Sequence, residues 1–324
     1  MNRNEASSGG LPLWMANIPE SADWTAAEPI DKGWSADRKY RIETRGGDRL
    51  LLRCSDAALA EAKKAEFERV RQVAALGIPC SRPIAFGERA GTGEEGEPGG
   101  APFVYSLLSW IEGEDAQDRL PDLPESDAYR LGRQAGEWLR RMHGLAVPAD
   151  AEPPAVAVRR ELARKREAYG KCGYRLPFDA ELSARIEALL PLLDGVPAGF
   201  RQGDYHPGNM ILGPDGSLGI IDFNRSATGD PYRDFNRLVT FTSGISLPFA
   251  RGQLDGYLAA GPHDPSFFGR MALYCAMECW FAIVWAVPFG EPEITDTLRR
   301  SERIWSDYRG FELGAPEWYG GLEL

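Results

Sequence analysis

Phe200 to Leu238 reads FRQGDYHPGNMILGPDGSLGIIDFNRSATGDPYRDFNRL. Two short apolar runs, Met210-Ile211-Leu212 and Leu218-Gly219-Ile220-Ile221, flank Gly213-Pro214-Asp215-Gly216. In that turn Pro presets φ and Gly supplies positive φ, so the runs are expected to be the strands of a tight β-hairpin. Pairing across it sets Met210 roughly opposite Ile221 and Asn209 opposite Asp222; opposed Cα atoms in antiparallel strands are about 4.5–5.5 Å apart. A neutral amide oxygen and a carboxylate would then leave the open end side by side, with Asp204 on the incoming loop.

Hard oxygen donors in so small a number suit Mg²⁺, which retains water or phosphate oxygens for the rest of its shell. Asp204 is left to act on an acceptor hydroxyl. The spacing Asp-x-x-x-x-Asn followed by Asp-Phe resembles the catalytic loop and metal-binding Asp of kinases. The fuller pattern is Gly203-Asp204-Tyr205-His206-Pro207-Gly208-Asn209, then Ile221-Asp222-Phe223, then Gly229-Asp230-Pro231-Tyr232-Arg233-Asp234. It resembles more narrowly the aminoglycoside phosphotransferase and choline kinase superfamily.

That resemblance implies an α+β, protein-kinase-like bilobal fold, with a small β-rich N-lobe carrying one helix and a larger, mostly helical C-lobe. It also implies ATP- and Mg²⁺-dependent transfer of the γ-phosphate to a hydroxyl of a small molecule. Asp204 becomes the candidate base, and Asn209 and Asp222 the candidate metal ligands. His206 is expected to pack the loop and Asp234 to brace the large lobe. Gln202 departs from the pattern, standing where relatives often carry His. After Asp222 there is no long activation segment and no Ala-Pro-Glu, and Phe223 is followed by Asn224 rather than Gly, which favours a small-molecule kinase. Two other readings stay open: a catalytically silent nucleotide-binding regulatory module, and a kinase acting on a protein hydroxyl.

Working outward, residues 1–28 carry little pattern and read as a loose arm. Lys39–Thr44 alternates as a strand and Arg49–Cys54 is a second. Ser55–Leu76 reads as a helix stopped by Gly77 and Pro79, and strands follow from Pro83 and over Phe103–Ser109. Residues 29–108 are therefore expected to form the nucleotide lobe, and 109–324 the hinge with a helical catalytic and acceptor-binding lobe. By the kinase resemblance, Arg53 stands where a phosphate-pairing Lys is expected. Glu66, on one helix face with Val70 and Val73, would orient it. The backbone of Gly33-Trp34-Ser35 would cradle phosphates, and the Ser109 carbonyl and Ile111 amide would bond adenine.

The C-terminal half is read as helical, with Ser126–His143 amphipathic. Glu278 interrupts its most apolar run, Met271–Val287, and a buried carboxylate needs a partner: a substrate amine or an internal Arg. Glu291 and Glu293 are further weak candidates for a cationic acceptor. That apolar run is shorter than the roughly 20 residues of a spanning helix, so a buried core helix is expected and no membrane partner. The net charge of −11 argues against nucleic acid. Five scattered cysteines, with neither a disulfide framework nor a zinc spacing, fit a reducing cytoplasm. Neither the acceptor nor the oligomeric state is legible.

Overall fold

The computed structural model describes residues 11–31, 36–91 and 100–321. Two compact units divide the chain: Met1–Gly113 with Gly213–Asn224, and Glu114–Leu212 with Arg225–Leu324. The architecture is mixed, a β-sheet unit followed by a helical one, as the fold expectation had it.

The first unit is built on five strands and a helix: β1 (Trp24–Pro29), β2 (Arg38–Thr44), β3 (Arg49–Asp56), α1 (Ala60–Ala75), β4 (Pro83–Arg89) and β5 (Phe103–Ser109). The sheet order is β1-β2-β3-β5-β4, every pair antiparallel. Asp56 starts the turn into α1 by accepting the Ala58 N–H at 2.8 Å, so the helix read from Ser55 begins only at Ala60. Val70 and Val73 face inward, and Gly77 at φ +70° closes the helix end.

Residues 11–28 are not a loose arm. Leu13–Asn17 and Pro19–Asp23 are 3₁₀ turns that lead into the edge strand β1. Trp14, Met15, Ile18 and Trp24 join Ile42, Leu52, Phe103 and Leu107 in one core. The Trp14 ring lies 5.5 Å from Phe103 and 5.6 Å from Tyr40. Burying four such side chains, at about 1.5–3 kcal/mol each, outweighs the entropy of ordering a short segment.

The second correction concerns Gly213–Asn224, read as part of the large lobe but belonging to the first unit. The Ile220 N–H donates to Pro79 O at 2.9 Å, and Ile220 O accepts the Ser81 N–H at 3.3 Å. A Cβ at Gly219 would stand 3.0 Å from Ile111 Cδ1, so Ile111 packs directly on the glycine. Both expected hairpin strands form, Met210–Leu212 and Leu218–Ile220. The turn is closed by the Gly213 N–H on Ser217 O at 2.8 Å.

In the second unit the helices Glu125–His143 and Leu247–Ala259 approach at backbone distance. A Cβ on Gly132, Gly136 or Gly256 would fall 2.1 Å from a carbonyl oxygen of the facing helix, and one on Gly252 2.2 Å. Leu131, Ala135, Trp138, Leu139 and Met142 supply the buried face of the first. Helix Phe267–Ala286 runs through the core; long and apolar enough to cross a membrane by length and composition, it is mostly buried here. The helix from Asp179 gives way at Leu189 to a 3₁₀ turn over Leu190–Leu193, because Pro191 lacks the N–H that an α-helix needs.

Candidate active site

Strand Gly199–Arg201 pairs antiparallel with Ala227–Gly229 and delivers the chain to the Asp204 loop. Gly203 takes φ +88°, and a Cβ there would meet Arg225 O at 2.1 Å, so no other residue fits. Buried Asp234 accepts the backbone N–H groups of Gln202 at 2.7 Å and Gly203 at 2.9 Å. His143 Nε2 lies 3.1 Å from the same carboxylate, and its Nδ1 3.0 Å from the Tyr257 hydroxyl. Gln202 Oε1 accepts the Asp204 N–H at 2.6 Å. The residue that departs from the expected His therefore still braces the loop.

Asn209 donates its amide nitrogen to Asp204 O at 2.9 Å and to Asp204 Oδ2 at 3.2 Å. That assignment turns the amide oxygen away from the carboxylate, as a metal ligand requires. His206 packs the loop and also faces the carboxylate: Nδ1 accepts the Gly208 N–H at 3.2 Å, the ring lies 4.9 Å from that of Phe241, and Nε2 lies 3.8 Å from Asp204 Oδ1.

Arg237 lies behind Asp204. Its Nε is 3.0 Å from Asp204 Oδ1 and its Nη1 donates to Glu278 Oε1 at 2.7 Å. The Nε contact is an ion pair without an aligned hydrogen bond. Asn236 donates to the other Glu278 oxygen at 3.1 Å. Burial alone would raise the Asp204 carboxyl, but His206 and the charges of Arg237 and Arg225 outweigh it and hold it well below the usual carboxylate range. Arg237 is followed by a π turn, Leu238–Thr242. Arg303 satisfies carbonyls there, donating to Val239 O at 2.9 Å and Thr240 O at 2.8 Å.

In the first unit Asp222 takes φ +55°, a left-handed conformation that Asp tolerates better than most residues. Its Oδ1 accepts the Asn224 N–H at 3.3 Å and Arg53 Nη1 at 3.3 Å, and its side chain is 34% exposed. Arg53 is buried. It bonds Asp37 Oδ2 through Nε at 3.1 Å and Nη2 at 2.8 Å, and lies 3.7 Å from Glu66. Lys63 Nζ bridges Asp37 at 2.7 Å and Glu66 at 3.2 Å. Glu66 and Asp222 thus both lie beside Arg53, with Asp37 as its tightest partner.

Asp37 and Lys63 were not singled out from sequence, although Lys63 sits one turn before Glu66 on α1. Arg237 was missed too, one turn after Asp234 in Asp-Phe-Asn-Arg. Gly33, Trp34 and Ser35 lie outside the described residues. Ser109 ends β5, and the Ile111 amide has no hydrogen-bond partner among the described residues. Of the acceptor candidates, Glu278 is taken by Arg237 and Asn236, the internal alternative of the two weighed for it. Glu291 accepts the Tyr174 hydroxyl at 2.8 Å, and Glu293 shares the first turn of helix Glu291–Asp307. They form no cluster with Glu278.

The donor set suits a hard cation that brings most of its own ligands. Among the described residues no group of three or more His, Cys, Asp or Glu is arranged to hold a metal. In the first unit the Asp222 carboxylate on its solvent-facing turn, and in the second unit the Asn209 amide oxygen, are each hard donors of the kind Mg²⁺ takes.

The model of the phosphotransferase enzyme family, APH, matches residues 26–268. Comparison with curated protein sequences finds no match. Among solved structures, amicoumacin kinase hAmiN in complex with AMP-PNP, Ca²⁺ and Ami superposes with a TM-score of 0.64 at 13% identity, over 91% of this chain and 93% of that one. A choline/ethanolamine kinase family protein from Mesorhizobium loti gives 0.63 at 18% identity, over 92% and 94%. Aminoglycoside phosphotransferase APH(4)-Ia, in ternary complex with ADP and hygromycin B, gives 0.61 at 13% identity, over 90% and 97%.

Proposed function

Because the chain belongs to the phosphotransferase enzyme family, we propose that it is a small-molecule kinase that moves the γ-phosphate of ATP to a hydroxyl, with Asp204 facing that hydroxyl. The observation that carries this reading is the Asp204 carboxylate itself. It is held ionised by His206, Arg237 and Arg225 against its burial, on a loop whose backbone is fixed by Asp234 and Gln202. Structures of similar fold contain AMP-PNP or ADP together with small-molecule substrates; this supports, for this chain, a nucleotide and a small acceptor.

Asn209 and Asp222 would each give one oxygen to Mg²⁺, and Arg53 would face the nucleotide phosphates, oriented by Glu66 and Asp37. Mg-ATP, when bound, supplies the phosphoryl group and neutralises charge during its transfer. The Ile111 amide and Ser109 carbonyl would bond the purine. Asp204 accepts a hydrogen bond from the acceptor hydroxyl and aims its oxygen. With its pKa held low, it orients the nucleophile first and takes the proton late, as a loose phosphoryl-transfer transition state permits. The acceptor need not be cationic: Glu278, the strongest acidic candidate, is consumed inside the protein.

The test is a transfer panel of aminoglycosides, macrolides, amino alcohols and sugars with Mg-ATP, read by mass spectrometry. Asp204→Asn should lower kcat on the order of 10²–10⁴-fold while nucleotide still raises the melting temperature. Undiminished turnover in that variant would remove Asp204 from the reaction. Nucleotide binding with no transfer to any acceptor would favour a silent module, a reading to which Arg53, already engaged by Asp37 and Asp222, lends some support.

A further inference from the structure

A cavity of about 340 Å³ opens in the second unit, between helix Pro154–Lys171, the strand pair Gly199–Arg201 and Ala227–Gly229, and helix Phe267–Ala286. Four arginines line it, Arg160, Arg164, Arg201 and Arg233, against two carboxylates, Glu161 and Asp230. Both carboxylates are already spent. Glu161 is gripped by Arg233 through two bonds, at 2.6 and 3.0 Å. Asp230 accepts Arg270 Nη1 at 2.9 Å and the Tyr274 hydroxyl at 3.0 Å. Arg160 turns outward to Glu152, at 2.5 and 2.8 Å.

Arg201 is left over. Its Nε is wholly buried and bonds nothing, and among the described residues neither Arg201 nor Arg164 has an ion pair or side-chain hydrogen bond. Arg201 lies close against the neighbouring strand, since a Cβ on Gly229 would come within 3.0 Å of its Nε. Burial, with Arg233 close by, presses its guanidinium down from its ordinary value. The charges of Asp234 and Glu161 offset this only in part, and a buried N–H with no acceptor is itself unfavourable. A guanidinium is a planar fork matched to carboxylate and phosphate oxygens. The cavity has the size of a small ligand pocket.

We propose that this cavity is an oxyanion-binding site for a small molecule bearing a phosphate or carboxylate group, with Arg201 as its main ligand and Arg164 at its solvent side. The proposal goes beyond phosphoryl transfer and uses none of the residues assigned to it.

The experiment is thermal denaturation of the full chain in sodium phosphate, sodium acetate and sodium chloride at matched ionic strength. Phosphate or acetate should raise the wild-type melting temperature by about 3 °C or more over chloride at saturating concentration. Whichever anion acts names the ligand class. Arg201→Met should melt no lower than wild type in chloride and should show no anion response; Arg201→Lys should keep part of it. Asp222→Ala is run alongside to separate this site from phosphate held at the proposed nucleotide site, and its response must persist. Equal melting in all three salts, an undiminished response in R201M, or a response lost in D222A overturns the proposal. If R201M fails to fold, amide resonances of Ala227–Gly229 in the wild type provide the second readout: they should move with the active anion, and their failure to move overturns the site.

Discussion

Arg237 in the second unit and Arg53 in the first are both buried guanidinium groups set between carboxylates, yet they leave the carboxylates in different states. Arg237 divides itself between Asp204 and Glu278 and, together with His206, keeps Asp204 pinned and deprotonated. Arg53 gives its best bonds to Asp37 and reaches Asp222 only at 3.3 Å, on a left-handed turn open to solvent. On the roles we propose, a carboxylate that faces an acceptor hydroxyl benefits from a fixed anchor, and one that takes up and releases an ion benefits from a weaker one.

The comparison can be broken most severely at Asp37. Asp37→Ala would leave Arg53 and Lys63 without their closest shared acceptor, and should cost about 3–5 kcal/mol of unfolding free energy measured by chemical denaturation; a loss under about 1 kcal/mol would show that Asp222 and Glu66 already suffice. Next comes Glu278→Gln, which shifts the whole charge of Arg237 onto Asp204. We expect kcat to fall about tenfold, near 1.4 kcal/mol, with acceptor KM unchanged and the acid limb of the rate profile moved to lower pH. A raised KM at constant kcat would instead make Glu278 a substrate contact.

The smallest effect is a pH dependence. Burial raises the Asp37 carboxyl, but Arg53, Lys63 and Ser55 outweigh it and bring it to about 2, below its ordinary 3.8. A group with a depressed folded pKa stabilises fully above its unfolded pKa and loses that contribution as pH falls through the folded one. The stability gap between wild type and Asp37→Asn should therefore be constant above about pH 5 and shrink between about pH 4 and 2, by at most about 2 kcal/mol before solvent screening. A gap that widened on acidification would reverse the sign assigned to Asp37.

Much of this was legible in the chain. Asp204, Asn209 and Asp222 stand out because turn chemistry and fixed spacings carry them, and Arg53 and Glu66 because strand order and a helical stripe locate them. The segment over residues 11–28 was missed because its apolar residues follow neither period 2 nor period 3.6. It is held by tertiary contacts of Trp14 and Met15, which no local pattern reports. Asp37, Lys63 and Arg237 were missed for another reason: a charged residue is recognised as buried only when its partner is known, and Arg53 lies 16 residues from Asp37, and Arg237 41 from Glu278. The same blindness covers Arg201, whose distinction among the described residues is a buried Nε with no hydrogen-bond partner.

The glycine contacts between helices Glu125–His143 and Leu247–Ala259 have a mechanical consequence. Side chains yield by changing rotamer, but a backbone resting on a facing carbonyl behaves as a hard stop. The spacing of these two helices is therefore a fixed dimension, and His143 and Tyr257, one on each, keep their 3.0 Å contact without adjustment. Through Asp234 that dimension becomes the reference length from which the Asp204 loop is hung, indifferent to how the surrounding core repacks.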